Sequence, residues 1–142
     1  MSESGKEERI LAIDYGEKRI GFAITDPLKI FAYPLKTLSN DKNFWGNLEL
    51  IFKEFSIVKI IIGYPLKENG EESVSSKMVL KFKHELSKRY DLEIILVDER
   101  YSSEIAKQNI LESVSSKKKR RDKSLVDKNA AAVILQDFLN SA

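Results

Sequence analysis

Two hydrophobic rhythms alternate along the chain. After a polar leader at residues 1–8, Arg9 to Asp14 is a short apolar run that ends on an acid. Ile20 to Thr25 resumes β-rich sequence after the turn-forming Tyr15-Gly16-Glu17-Lys18, so the two runs read as hairpin-paired strands. Asp26-Pro27 marks the next turn, and Ile30 to Leu38 supplies a third strand, whose Pro34 cannot donate a ladder bond and so implies an edge or a bulge. The period then lengthens. Phe44, Leu48, Ile51, Phe52 and Phe55 recur at helical spacing after a cap at Ser39 to Asp41. Ile57 to Ile62 is a β-branched run interrupted only by Lys59 and closed by Gly63-Tyr64-Pro65, the pattern of a central strand buried on both faces. Met78, Phe82, Leu86 and Tyr90 define a second helix and Leu92 to Val97 a fifth strand. Glu104 to Ser113 reads as a short helix and Leu125 to Leu139 as an Ala-rich final one. The predicted class is α/β: a mixed five-stranded sheet, with three strands in an antiparallel meander and two parallel strands reached by helical crossovers, flanked by helices.

Composition narrows the chemistry. A chain of 142 residues fits one domain, 1–142, and a domain of this size buries about 68–70% of its unfolded surface without needing a staple. There is no cysteine, which excludes disulfides, iron–sulfur clusters and thiolate zinc sites, so any metal must bind oxygen ligands. The lone histidine, His84, sits among Lys83, Glu85 and Lys88 and reads as solvated. No secretory signal pattern opens the chain, and no apolar stretch approaches the ~20 residues that span a bilayer. A cytoplasmic protein without membrane contact is expected. Net charge is only +2, so the placement of charge matters more than its sum. It concentrates in residues 115–124, where Lys117, Lys118, Lys119, Arg120, Arg121 and Lys123 make a basic loop expected to be flexible.

Acids fall at three informative places. Asp14 ends an apolar strand, where a charge is costly unless partnered, although an Asp there can simply start a turn. Asp98 and Glu99 end the fifth strand, and ligands in open α/β sheets gather outside the carboxyl ends of strands. Adjacent strand residues point to opposite faces, so only one of the two can share a site with Asp14. Asp127 falls on the same helical stripe as Ala130, Ala131, Ile134 and Phe138, an acid on a core-facing stripe. Such a set, with no His or Cys, is the hard oxygen donor set that Mg²⁺ or Mn²⁺ accepts. The basic loop precedes the third acid and could hold a polyanionic strand over it.

These residues carry a resemblance that spans nearly the whole chain. Asp14-Tyr15-Gly16-Glu17-Lys18-Arg19-Ile20-Gly21 with Asp26-Pro27, Gly63-Tyr64-Pro65-Leu66 with Asn69-Gly70, Val97-Asp98-Glu99-Arg100, and Val126-Asp127 with Ala130-Ala131 and Leu135-Gln136 resemble the YqgF/RuvX family. The resemblance implies a ribonuclease H-like fold. It implies a nuclease too, either one maturing the 5′ end of pre-16S ribosomal RNA or a Holliday-junction resolvase. Carried over residue by residue, it makes Asp14, Glu99 and Asp127 the catalytic, metal-binding acids, with Asp98 as the alternative middle ligand. Lys18 and Arg19 fall on the family's basic turn. Ser102-Ser103 stand where relatives commonly have paired threonines, keeping the hydroxyls, and Tyr64 replaces a usual leucine. The expected partner is structured RNA or branched DNA, bound by a monomer or homodimer. Two other readings share these residues: a non-catalytic nucleic-acid-binding module, and half of an actin-like or sugar-kinase ATPase, for which the chain has room for only one of two domains.

Overall fold

Backbone pairing is organised around the first strand. A computed structural model describes residues 7–99 and 123–141, the side chains of 123–129 excepted. The described residues form β1 (Glu8–Asp14), β2 (Arg19–Thr25), β3 (Ala32–Ser39), α1 (Phe44–Glu54), β4 (Ser56–Tyr64), α2 (Val74–Arg89), β5 (Glu93–Asp98) and α3 (Lys123–Ser141). The sheet order is β3-β2-β1-β4-β5. β1 to β3 pair antiparallel, whereas β4 runs parallel to β1 and β5 parallel to β4. Consequently β1, β3, β4 and β5 all end at one edge of the sheet, where β2 begins.

The pleat divides the core in two. Leu11, Ile13, Ile20, Phe22, Ile60 and Ile62 face α1 and α2, meeting Phe44, Leu48, Ile51, Val79, Phe82 and Leu86. Ile10, Ala12, Ala23 and Ile61 face the other way and meet Ala131, Ala132, Ile134 and Leu135 of α3. Ile60, Ile61 and Ile62 are all fully buried, as a strand covered on both sides requires. Alanine on both partners lets α3 lie close against the sheet. At its other end, Gln136 ties α3 to the start of β3: its Oε1 accepts from the Ala32 amide at 3.0 Å and its Nε2 donates to the Ile30 carbonyl at 3.2 Å.

Several boundaries differ from the sequence pattern, each for a local reason. The third strand starts at Ala32 rather than Ile30, because the Asp26 carboxylate accepts from the amides of Leu28, Ile30 and Phe31 at 3.2, 2.9 and 2.7 Å and draws them into the turn. Ser39 does not cap α1. It ends β3 opposite Arg19, and Asn43 is the N-cap, without a side-chain cap bond. β4 continues through Gly63 to Tyr64, which pair with Val97 and Asp98. Both readings of Pro34 hold: β3 is an edge strand, and its register shifts where Phe22 pairs Lys36 and Ala23 pairs Pro34, leaving Leu35 as the extra residue. α2 opens with a capping box in which the Ser73 hydroxyl accepts from the Ser76 amide at 2.9 Å and Ser76 Oγ accepts from the Ser73 amide at 2.7 Å. The expected helix at 104–113 lies outside the described residues, as does residues 115–122 of the basic loop; Lys123 and Ser124 already belong to α3.

Candidate metal centre

The carboxyl edge of the sheet collects acids because of register and pleat together. Ala12 pairs Ile61 and Ile13 pairs Ile62, so one further step sets Asp14 beside Gly63, and Gly63 in turn pairs Val97. Ile10, Ala12 and Asp14 share one face of β1, the face covered by α3. On β5 the α3 side holds Ile95 and Val97, while Ile94 and Leu96 pack on the opposite side. Continuing the alternation puts Glu99 with Asp14, and Asp98 on the other side of the sheet.

The Glu99 side chain follows that rule. Glu99 and Asp14 are joined by a carboxyl–carboxyl hydrogen bond. Burial pushes the Glu99 carboxyl above its ordinary value; the hydrogen bond with Asp14 works against this, and the nearby Asp98 charge adds to the rise. Two carboxyls can share a hydrogen bond only if one keeps its proton, so the pair competes for a positive charge. A divalent cation supplies that charge without protons, and the all-oxygen donors suit Mg²⁺ or Mn²⁺.

Gly63 makes the approach possible. A Cβ at this position would strike Glu99 Oε1 and lie 2.7 Å from Ile134 Cδ1. The glycine therefore leaves the space that the Glu99 carboxyl occupies under α3. Sequence reasoning took Gly63 as the stop of a strand and as part of a motif that carries the resemblance, not as a space for Glu99. The signal was a glycine inside a buried β-branched run, which marks a close approach of another group.

The remaining candidates divide. Asp127 belongs to the first part of α3, but its side chain lies outside the described residues. Among the described residues no group of three His, Cys, Asp or Glu closes into a metal cluster. Lys18 is exposed and Arg19 half-buried at the mouth of the β1–β2 turn, at the same edge as Asp14. That turn is tight: a Cβ on Gly16 would strike the Arg19 carbonyl oxygen, and the Lys18 carbonyl accepts from the Asn40 amide at 2.9 Å. Lys117, Lys118, Lys119, Arg120, Arg121, Ser102 and Ser103 lie outside the described residues, as does the side chain of Lys123. His84 is exposed.

A family model described as RuvX, Holliday junction resolvase, matches residues 8–141. The chain belongs to the RuvX family. This RuvX chain is 41% identical over 132 residues to a protein of Flavobacterium psychrophilum named "Putative pre-16S rRNA nuclease", covering 92% of this chain and 96% of that one. A protein of the same name from Salinibacter ruber is 40% identical over 141 residues, with 99% and 98% covered. Among solved structures, a fowlpox virus resolvase in complex with substrate Holliday junction DNA superposes with a TM-score of 0.57 at 16% identity, covering 94% of this chain and 97% of the other. Thermus thermophilus RuvC in complex with a Holliday junction substrate superposes with a TM-score of 0.55 at 9% identity, covering 95% and 96%. The RuvX chain thus has the ribonuclease H-like fold that its family resemblance implies, with the mixed five-stranded sheet that its sequence pattern predicts.

Proposed function

We propose that this RuvX protein is a Mg²⁺- or Mn²⁺-dependent endonuclease of the cytoplasm that hydrolyses phosphodiester bonds of structured RNA, in the maturation of the 5′ end of pre-16S rRNA. The observation that carries the reading is the hydrogen bond between Asp14 and Glu99 beside the gap left by Gly63. Asp14 and Glu99 hold the cation, with Asp127 as the third acid from α3. Bound divalent cations in such a site activate water and stabilise the leaving oxygen of an in-line displacement. The protein's own part is positional. β1 and β5 fix the two carboxyls on the same face of the sheet, α3 covers them from bulk water, and Lys18 and Arg19 lie where the substrate backbone crosses the edge. Lys117 to Arg121 and Lys123 add a basic loop for the same strand. The products carry a 5′-phosphate and a 3′-hydroxyl.

Cleavage of a pre-16S rRNA 5′ precursor is expected to require the metal and to disappear in Asp14→Asn, while RNA binding survives. Undiminished cleavage by the purified variant would refute the assignment. A second reading, resolution of branched DNA, is favoured by the family's description and by the two junction-bound resolvases of the same fold. A four-way junction assayed beside the RNA decides between them, and solution mass bears on the choice because paired cuts call for a symmetric dimer.

A further inference from the structure

On the opposite face of the sheet from the acids, the same edge carries a cavity of about 300 Å³. Its walls come from four segments: Tyr15 after β1, Asn40 after β3, Trp45 of α1, and Met78, Lys81 and Phe82 of α2. Phe82 is buried and forms the floor, with the half-buried rings of Tyr15 and Trp45 set against it at centroid distances of 4.7 and 5.6 Å. The Arg89 guanidinium lies over the Trp45 ring, 4.2 Å from its centroid. Tyr15 is also fixed: the Asn40 side-chain amide donates to its hydroxyl at 3.2 Å and to the Gly16 carbonyl at 3.0 Å. Lys81 is exposed at the mouth, and Glu85 lines the cavity while paired to Lys88 at 3.6 Å. The site is an aromatic slot with pre-set walls, a volume at the small end of ligand pockets, and a cation at its entrance.

We infer that this slot receives one unstacked nucleobase of the substrate strand, close to the phosphate held at Asp14. The inference rests on the nuclease reading and deepens it. Asp14 and Tyr15 are consecutive, about 3.8 Å apart at Cα, and leave the backbone on opposite sides of the sheet. A strand crossing the edge with a phosphate at Asp14 therefore brings a neighbouring nucleotide to Tyr15. Flat rings at the walls stack on a base of any sequence, the Tyr15 hydroxyl and Asn40 offer hydrogen bonding at its rim, and Lys81 matches the phosphate that follows. A peptide side chain would use the rings but would leave Lys81 and the covalent link to Asp14 without purpose.

Trp45 is the sole tryptophan of the chain, so its emission reports on the slot directly. The full-length Asp14→Asn variant, which is expected to bind RNA without cutting it, is titrated in Mg²⁺ with a short single-stranded RNA and with versions carrying one abasic ribose at each position in turn. Saturable change of Trp45 emission is expected, with one register at which the missing base weakens binding roughly 5- to 150-fold. Tyr15→Leu should abolish that register dependence. Should Tyr15→Leu misfold, Lys81→Glu, on an exposed residue, should weaken RNA binding with the melting curve unchanged. Equal affinity for intact and abasic strands at every position, or emission unmoved while RNA binds, overturns the inference and leaves the slot to a partner's aromatic side chain. Cleavage by the parent without a Trp45 response in the variant refutes the slot alone, and a Trp45 response without metal-dependent cleavage by the parent refutes the nuclease reading alone.

Discussion

Replacing Gly63 by alanine tests whether the glycine exists for Glu99. The added methyl group would enter space already held by Glu99 Oε1 and would come within 2.7 Å of Ile134 Cδ1. Both are the far ends of side chains, which can yield without moving backbone. Overpacking of this kind costs about 1–3 kcal/mol, and alanine recovers about 0.5–1 kcal/mol of the penalty a glycine imposes inside a strand. The net loss of stability is therefore about 0–2.5 kcal/mol, a fall in Tm of at most about 10 °C. Activity should suffer far more. Glu99 must retreat by roughly 1 Å to regain an ordinary contact, and displacements of that size at a reacting centre cost on the order of 100-fold in rate. The signature is dissociation of the two measurements: a melting curve close to that of the parent, with metal-dependent cleavage reduced about 100-fold. Parental cleavage, or global unfolding in place of a modest Tm shift, would refute the reasoning.

Three further outcomes follow from other contacts. Because burial holds the Glu99 carboxyl above its ordinary value, the folded chain binds more protons than the unfolded one, and its stability falls as pH rises from the usual carboxylate range through the raised value. In EDTA, Glu99→Gln should therefore have a higher urea midpoint than the parent at about pH 8 and lose that advantage near pH 4; a lower midpoint at pH 8 would contradict this. Asp26 behaves with the opposite sign: the amide of Phe31 first, then those of Ile30 and Leu28, hold its carboxyl below the ordinary value, so its contribution is complete above that value and vanishes as pH falls through the depressed one. Asp26→Ala should thus be less stable than the parent at neutral pH, with the gap closing below about pH 4 in urea titrations. Gln136→Leu removes two hydrogen bonds that join α3 to Ala32 of β3 and to Ile30 in the turn before it, at about 1 kcal/mol each, and should lower Tm by roughly 5–8 °C in calorimetry.

Periodicity made the sheet legible because each strand has a single consistent pattern. Ile57 to Ile62 is apolar except for Lys59, and Ile60, Ile61 and Ile62 proved buried on both sides, while the helical spacing of Phe82 and Leu86 proved to be their packing face. Boundaries were less legible where side chains compete for backbone amides. Asp26 takes three of them, so Ile30 looks like a strand residue and is part of a turn. At the site, the rule that adjacent residues face apart narrowed Asp98 and Glu99 to one and the family resemblance favoured Glu99; the pleat of β5, with Ile95 and Val97 against α3, puts Glu99 on the side of Asp14. Gly63 was visible as a letter and not as a space, because what it accommodates comes from β5 and α3, distant in sequence. The slot around Phe82 was hidden for a similar reason. Its rings come from segments whose apolar positions read simply as core.

The placement of α3 has a consequence for the order in which the fold closes. Its bonds to Ala32 and Ile30 span 104 and 106 residues, and it alone among the described elements covers Ile10, Ala12, Ala23 and Ile61. Of the described elements, none but α3 closes this side of the sheet, and such long-range closure is the slow part of folding. Before α3 docks, the strands can pair and α1 and α2 can pack, but the cover over Asp14 and Glu99 is missing. Completion of the acidic edge therefore waits for α3, the segment most distant in sequence from β1 among the described elements.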